Sequence, residues 1–177
     1  MYDFRIATGD KDQLYAELIG AADSLTAGEP DGIANMANVA ALLWETLPDL
    51  NWAGFYRNVG GELVLGPFQG RPACIRIPFG KGVCGVAAAT LEPQCVADVD
   101  VFPGHIACDS ASRSELVVPI VVDGALLGVL DLDSPLPGRF DSADLEHCQQ
   151  LVQRIAGRLG GGAGNSSPAN QAASSIN

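Results

Sequence analysis

Two adjacent segments with the composition of β-strands constrain the fold of this chain more than any other feature. Residues 115–122 and 125–133 are rich in Val, Leu and Ile, and only Asp123-Gly124 separates them. An Asp-Gly pair between two apolar runs is a strong signal for a β-hairpin. We therefore expect an antiparallel sheet around which the remaining segments pack.

Helical periodicity precedes this hairpin and follows it. Apolar residues recur at helical spacing over residues 10–25, 33–46 and 141–159, with Asp141 as the N-cap of the last helix. Shorter segments between them have the composition of strands at residues 52–57, 62–65, 75–77 and 94–97, and of a helix at residues 83–90. This order predicts an α+β fold in which helices flank an antiparallel sheet.

Length and composition fit a single globular domain. The chain has 177 residues, of which 47% are hydrophobic, and this is enough for one sizeable core. We expect the domain to span residues 1–159. Residues 160–177 are of low complexity and rich in Gly, Ser and Ala, so we expect them to form a disordered tail.

The charge of the chain argues against two classes of partner. Ten Lys and Arg against 21 Asp and Glu give a formal net charge of −11. Nucleic acids and anionic membranes require a basic surface, so we expect neither as a partner. No apolar run approaches the ~20 residues of a spanning helix, and the first residues do not resemble a signal peptide. These features predict a cytoplasmic protein, in which thiols stay reduced unless they take part in a redox cycle.

Cys108 has the sequence context of a reactive thiol. It follows the turn signal Pro103-Gly104 and precedes residues 109–112, which could begin a short helix. The N-terminus of a helix lowers the pKa of a thiol, and a protonated His105 would lower it further. A cysteine that only fills space in a core would be the alternative. We select Cys108 as the candidate nucleophile.

The other four cysteines divide by position. Cys74 and Cys84 precede Cys108, and neither spacing is the Cys-x-x-Cys of a thioredoxin-like motif or of a zinc ribbon. A sulfenic acid on Cys108 would condense with a nearby thiol, so both are candidates for the resolving partner. Cys148 lies on the apolar stripe of the last helix and is interpreted as a core residue. Cys95 is interpreted as packing on a strand.

Two acidic residues at the end of the second hairpin strand form another candidate site. Asp131 and Asp133 are two residues apart, so they point to the same face of the strand. Acidic residues are unusual directly after an apolar core strand. A solvated strand end would also produce this pattern.

Four motifs, in order along the chain, closely resemble the free methionine-(R)-sulfoxide reductase family, whose members are single GAF domains. They are Asn51-Trp52-Ala53-Gly54-Phe55-Tyr56, Phe79-Gly80-Lys81-Gly82-Val83-Cys84-Gly85, Pro103-Gly104-His105-Ile106-Ala107-Cys108-Asp109 and Ser114-Glu115-Leu116-Val117-Val118-Pro119. The resemblance covers roughly residues 15–159. It implies reduction of the free amino acid methionine (R)-sulfoxide, with no cofactor and no metal, and it implies that a homodimer can form.

The resemblance implies a redox cycle for three cysteines. Cys108 would attack the sulfoxide sulfur and become a sulfenic acid as methionine leaves. Cys74 would be the usual resolving residue, and Cys84 would be able to exchange into the disulfide. A thioredoxin-type dithiol would then restore the thiols.

The resemblance also implies the residues that bind the substrate. Glu115, Asp131 and Asp133 would hold its ammonium and sulfoxide groups, and Trp52 would form an apolar wall against its S-methyl group. Three carboxyl groups in one pocket cannot all ionise at low cost, so we expect one of them to keep its proton near neutral pH. That proton could be donated to the sulfoxide oxygen and make the sulfur more electrophilic.

This carboxylate cluster depends on the register of the hairpin. A two-residue turn at Asp123-Gly124 would place Glu115 opposite Leu132 and therefore on the other face from Asp131. We therefore predict a three-residue loop with Gly124 left-handed in a bulge, in which Val121 would pair with Ala125 and Glu115 with Asp131.

Two other functions use the same features. A zinc site could be formed by His105, Cys108, Cys74 and Cys84, although only one of these pairs is close in sequence. The second alternative function is a sensor, in which the GAF module only binds a small ligand such as a cyclic nucleotide or a tetrapyrrole. The cysteine trio and the charge of −11 argue against a sensor of phosphate ligands.

Overall fold

A computed structural model describes residues 10–104 and 111–160 of the chain. Its elements follow one another as α1 (Lys11–Thr26), α2 (Gly32–Thr46), β1 (Trp52–Val59), β2 (Glu62–Gly70), β3 (Arg76–Pro78), α3 (Gly82–Thr90), β4 (Gln94–Val96), a 3-10 turn (Val99–Val101), β5 (Ser114–Val122), β6 (Ala125–Ser134), α4 (Ser142–Ile155) and a second 3-10 turn (Ala156–Arg158).

The strands form one six-stranded antiparallel sheet in the order β3-β2-β1-β6-β5-β4. Helices α1, α2 and α4 cover one face and bury the larger apolar cluster against it. Helix α3 covers part of the opposite face, where a second apolar cluster lies. The predicted α+β fold, with helices flanking an antiparallel sheet, is confirmed.

The helices begin where short acidic side chains cap them. Asp10, Asp31 and Asp141 each accept hydrogen bonds from backbone N–H groups in the first turn of α1, α2 and α4. In α4, Asp144 also accepts from the backbone N–H of Asp141, which completes a capping box. The predicted N-cap at Asp141 is therefore confirmed, and α4 buries Cys148 at the centre of the larger cluster, as predicted.

The β5–β6 hairpin has a tighter turn than the sequence predicts. Val122 pairs with Ala125, and both turn residues have positive φ, 51° at Asp123 and 77° at Gly124. This is the two-residue primed turn whose twist suits a hairpin. The predicted three-residue loop is wrong, because Asp tolerates the left-handed conformation that the first turn position requires.

A bulge inside β6 nevertheless restores the side-chain alternation. Val121 pairs with Leu126 and Ile120 with Gly128, so Leu127 is an extra residue on one strand. From Gly128 onward the register is shifted by one, and Glu115 lies opposite Asp133 instead of Asp131. All three carboxylates therefore share one face of the sheet, as the candidate site requires.

Two further observations complete the description. Among the residues that the structure describes, no helix is both long and apolar enough to cross a membrane. Residues 161–177, which include nearly all of the predicted tail, lie outside the described residues.

Candidate active site

The carboxylate cluster, Glu115, Asp131 and Asp133, lies on the sheet face that α3 covers. Glu115 is on β5, and the two aspartates are on the neighbouring β6. Glu115 is 8% exposed and Asp131 is 5% exposed, whereas Asp133 is partly exposed. The structure thus brings together the three acidic residues predicted from the sequence and buries two of them.

Helix α3 adds Cys84 to this cluster. The helix packs closely on the sheet because Gly85, the next residue, lies against the carbonyl oxygen of Pro78, where a side chain would collide. Cys84 is buried, and its thiol donates a hydrogen bond to Oε1 of Glu115 with an S···O distance of 3.7 Å. One ligand atom from each of Cys84, Glu115 and Asp131 lies within 4.8 Å of the others.

Burial raises the pKa of two of these acids. Desolvation raises the pKa of Glu115 well above its usual range, and the charges of Asp131 and Asp133 raise it further. Desolvation also raises the pKa of Asp131 to about 7. At least one carboxyl group therefore keeps its proton near neutral pH, as predicted from the crowding of three acids.

The thiol of Cys84 is held in its neutral form by the same surroundings. Its pKa is raised well above the usual value, first by desolvation and then by the negative charges of Asp131 and Glu115. Its place in the first turn of α3 would lower the pKa, but burial among carboxylates outweighs this effect. Cys84 is therefore a hydrogen-bond donor in this state and a weak nucleophile.

Three aromatic rings stand beside the carboxylate cluster. Trp52 stacks between Tyr56 and Phe68, with ring centroids 5.8 and 5.2 Å away. The buried indole N–H of Trp52 has no hydrogen-bond partner among the described residues. The Tyr56 hydroxyl donates to the backbone carbonyl of Cys74 at 3.0 Å. The apolar wall predicted at Trp52 therefore includes two further rings.

Tyr56 was missed in the sequence analysis, although a signal existed. It is four residues after Trp52 on a strand, so alternation places both on one face. Its contact with Cys74 depends on the fold of the β2–β3 connection and has no local signal.

Asn51 is the second residue that sequence reasoning missed. Its backbone N–H donates to the carbonyl of Asp133 at 3.0 Å, and its side-chain amide donates to the hydroxyl of Ser112 at 3.0 Å. Ser112 is buried and lies four residues after Cys108 in the sequence. Asn51 thus connects the carboxylate strand to the segment that follows the candidate nucleophile.

Cys74 is disulfide-bonded, whereas Cys84, Cys95 and Cys148 are free. Cys74 packs at the edge of the smaller cluster, which also contains Cys84. These two cysteines therefore belong to the same apolar cluster, and the convergence of all three reactive thiols on one site stays a prediction. Cys108 and His105 lie outside the described residues, so the nucleophile prediction and the four-residue zinc set stay predictions.

The chain matches the GAF domain family model over residues 32–159. Free methionine-R-sulfoxide reductase from Escherichia coli strain K12 is 51% identical over 146 residues, which cover 82% of this chain and 88% of that protein. The chain belongs to the free methionine-R-sulfoxide reductase family. The family and fold expected from the four motifs are confirmed.

Solved structures of this family share the fold. Free methionine-R-sulfoxide reductase from Neisseria meningitidis, in complex with its substrate, superposes with a TM-score of 0.86 and 45% identity, covering 90% of this chain and 96% of that one. The reduced reductase from Staphylococcus aureus has a TM-score of 0.80 and 50% identity, covering 82% and 94%. The GAF family match over residues 32–159 spans β5, β6 and α3, which carry the carboxylate cluster and Cys84.

The remaining two cysteines differ from each other in burial. Cys148 is a core residue of the reductase fold, and burial raises the pKa of its thiol to about 12. Cys95 is exposed, so its interpretation as a packing residue is wrong. It lies on β4, the short strand at the sheet edge, and only the strand order reveals that position.

Proposed function

We propose that this protein reduces free methionine (R)-sulfoxide to methionine on the sheet face that carries the carboxylate cluster. One observation carries the proposal: the buried carboxyl groups of Glu115 and Asp131 stand beside an aromatic wall and the buried thiol of Cys84. A sulfoxide needs both features, an acid for its oxygen and an apolar surface for its methyl group. The membership of the chain in the reductase family supports the same substrate.

In the first step, the carboxyl groups activate the sulfoxide. Burial raises the pKa of Glu115 well above its usual range and that of Asp131 to about 7, so a protonated carboxyl group can donate a hydrogen bond to the sulfoxide oxygen, which makes the sulfur more electrophilic. Asp133 is the least buried of the three and can contact the substrate ammonium. Trp52 and Tyr56 bound the S-methyl group.

In the second step, the thiolate of Cys108 attacks the activated sulfur. The oxygen atom is transferred from the substrate sulfur to the sulfur of Cys108 and takes up a proton from a carboxyl group of the cluster, so that methionine leaves and Cys108 becomes a sulfenic acid. The sulfoxide sulfur gains two electrons and the cysteine sulfur loses two. A second thiol then displaces the hydroxyl group of the sulfenic acid, which gives a disulfide and water.

Cys74 is the resolving residue in this proposal, with Cys84 as the auxiliary thiol. The observed disulfide bond of Cys74 supports the order. The raised pKa of Cys84 makes its thiolate rare near neutral pH, so it is the poorer attacking group. We propose Cys108 as the partner of Cys74.

A dithiol must complete the cycle by thiol–disulfide exchange. A thioredoxin-type protein supplies two electrons and two protons in such exchanges. The cytoplasm would provide a protein of this type. We also propose a homodimer, because the family resemblance implies that one can form.

The proposal is tested by comparing four substrates with dithiothreitol as the reductant. We expect methionine to form from free methionine (R)-sulfoxide, and at least ten-fold slower turnover of the (S) form and of both N-acetylated forms. Equal rates with the N-acetylated forms would contradict restriction to the free amino acid. Tight binding of methionine sulfoxide without any turnover would favour a sensor module.

A further inference from the structure

Cys84, Glu115 and Asp131 have the spacing of metal ligands. Their ligand atoms lie within 4.8 Å of one another, and the Sγ atom of Cys84 is 3.7 Å from Oε1 of Glu115. In tetrahedral zinc sites, with metal–sulfur bonds of about 2.3 Å and metal–oxygen bonds of about 2.0 Å, neighbouring ligands are about 3.5 Å apart. The thiol and the carboxylate already stand near this separation.

An independent observation is that one oxygen atom of this group is unsatisfied among the described residues. Asp131 is 5% exposed, and its Oδ1 atom has no hydrogen-bond donor within the described part of the chain. Buried carboxylate oxygens are normally satisfied by donors or by a metal. The unsatisfied oxygen lies in the same cluster as the Cys84 thiol, so its lone pairs are available to a cation there.

We propose that Cys84, Glu115 and Asp131 bind a thiophilic divalent cation, Zn²⁺ or Cd²⁺, which takes the place of the substrate and inhibits the enzyme reversibly. Asp133 or a water molecule would complete a four-coordinate shell. This set differs from the zinc set considered from the sequence, because it contains no His105 and no Cys108. Only the inhibition, and not the binding, rests on the proposed function.

The test is a titration of the oxidised protein with Cd²⁺, in the absence of any added thiol. The Cys74 disulfide stays intact, so that cysteine cannot act as a ligand. Formation of a cadmium–thiolate bond is followed by its ultraviolet charge-transfer band, and Zn²⁺ is then added as a competitor. We expect one Cd²⁺ per chain, displaced by Zn²⁺ and by methionine (R)-sulfoxide.

Matched variants assign the ligands. Cys84→Ser should abolish the charge-transfer band, and Asp131→Asn should weaken binding at least ten-fold. The control variants Cys95→Ser and Cys148→Ser each remove another free thiol and should keep the affinity within about two-fold. A melting curve for each variant verifies that it is folded.

Two outcomes would overturn the proposal: no thiolate band in the wild type, or a band that is lost in Cys95→Ser and kept in Cys84→Ser. These outcomes are independent of the proposed function. A protein that binds Cd²⁺ through Cys84 but does not reduce methionine sulfoxide would retain the metal site and lose the reductase assignment. A protein that turns over substrate without binding Cd²⁺ would retain the reductase assignment and lose the metal site.

Discussion

Two buried aspartates on opposite sides of the sheet have contrasting surroundings. Asp144, fully buried at the start of α4, accepts hydrogen bonds from the Tyr15 hydroxyl at 2.8 Å, from the Lys11 ammonium at 2.9 Å and from the Arg139 guanidinium at 3.2 Å. Asp131 is almost as buried, yet its Oδ1 atom has no donor among the described residues, and its neighbours are the Cys84 thiol and other acids.

The difference separates a structural carboxylate from a functional one. Asp144 is surrounded by two cations and a hydroxyl group, so the fold supplies everything that its charge requires. Within residues 10–104 and 111–160, Asp131 has no cation or hydroxyl group of this kind, so its free oxygen is available to a bound ligand. Natural proteins accept such unsatisfied groups mainly at sites where they act on a ligand.

The largest expected effect is on catalysis at Asp131. Asp131→Asn removes a proton donor to the sulfoxide, and general acids contribute about 10²–10⁴-fold in rate. We expect kcat/KM for methionine (R)-sulfoxide to fall by at least about 100-fold with no loss of thermal stability. A fall of less than about three-fold, measured in the dithiothreitol-coupled assay, would remove Asp131 from the chemistry.

The next effect is on stability at Asp144. Asp144→Asn leaves the Lys11 and Arg139 charges without their buried partner, and breaking such a pair costs about 3 kcal/mol or more. We expect this loss in urea unfolding, together with a kcat/KM per folded molecule within about two-fold of wild type. A stable variant with impaired turnover would reverse the distinction between the two aspartates.

A smaller effect is expected at Asn51, which lies beside the functional cluster. Asn51→Ala removes the hydrogen bond to Ser112, worth about 1–1.5 kcal/mol, and should lower kcat about ten-fold with KM little changed. Asn58→Ala is the control, because Asn58 makes a similar bond, to the Leu126 carbonyl, at the other end of β1. Equal losses in both variants would indicate a general effect of strand stability. Ser112→Ala should match Asn51→Ala.

The smallest effect concerns pH. The folded-state pKa of Asp131 is raised to about 7 by burial, so the folded chain holds a proton there that the unfolded chain loses near pH 4. The stability that this proton contributes is complete below the unfolded pKa and is lost as the pH rises through about 7. Asp131→Asn does not titrate, so its melting temperature relative to wild type should increase from about pH 5 to about pH 8, by a few degrees. A constant difference would show that Asp131 is not buried as a neutral acid.

Local signals account for what the sequence predicts well. The Asp141 cap, the apolar stripe through Cys148 and the β-hairpin signal at Asp123-Gly124 are each contained within a few residues, and all three are found in the structure. Alternation alone places Asp131 and Asp133 on one face.

Two of the failures are local. The turn type at Asp123-Gly124 was predicted wrongly, and the bulge at Leu127 was missed although Gly128, an isolated glycine inside the strand, is a signal for a bulge. Two other failures are nonlocal. The exposure of Cys95 follows from the order of strands in the sheet, and the contact between Tyr56 and Cys74 follows from the path of the β2–β3 connection, so neither can be read from neighbouring residues.

The most direct test of the redox cycle is a single turnover without a reductant. The fully reduced protein is mixed with excess methionine (R)-sulfoxide, quenched with an alkylating agent, digested and mapped by mass spectrometry. The account predicts one methionine per chain and one new disulfide between Cys74 and Cys108, with Cys95 and Cys148 alkylated after unfolding. Methionine formed with Cys108 still alkylated as a free thiol would contradict it.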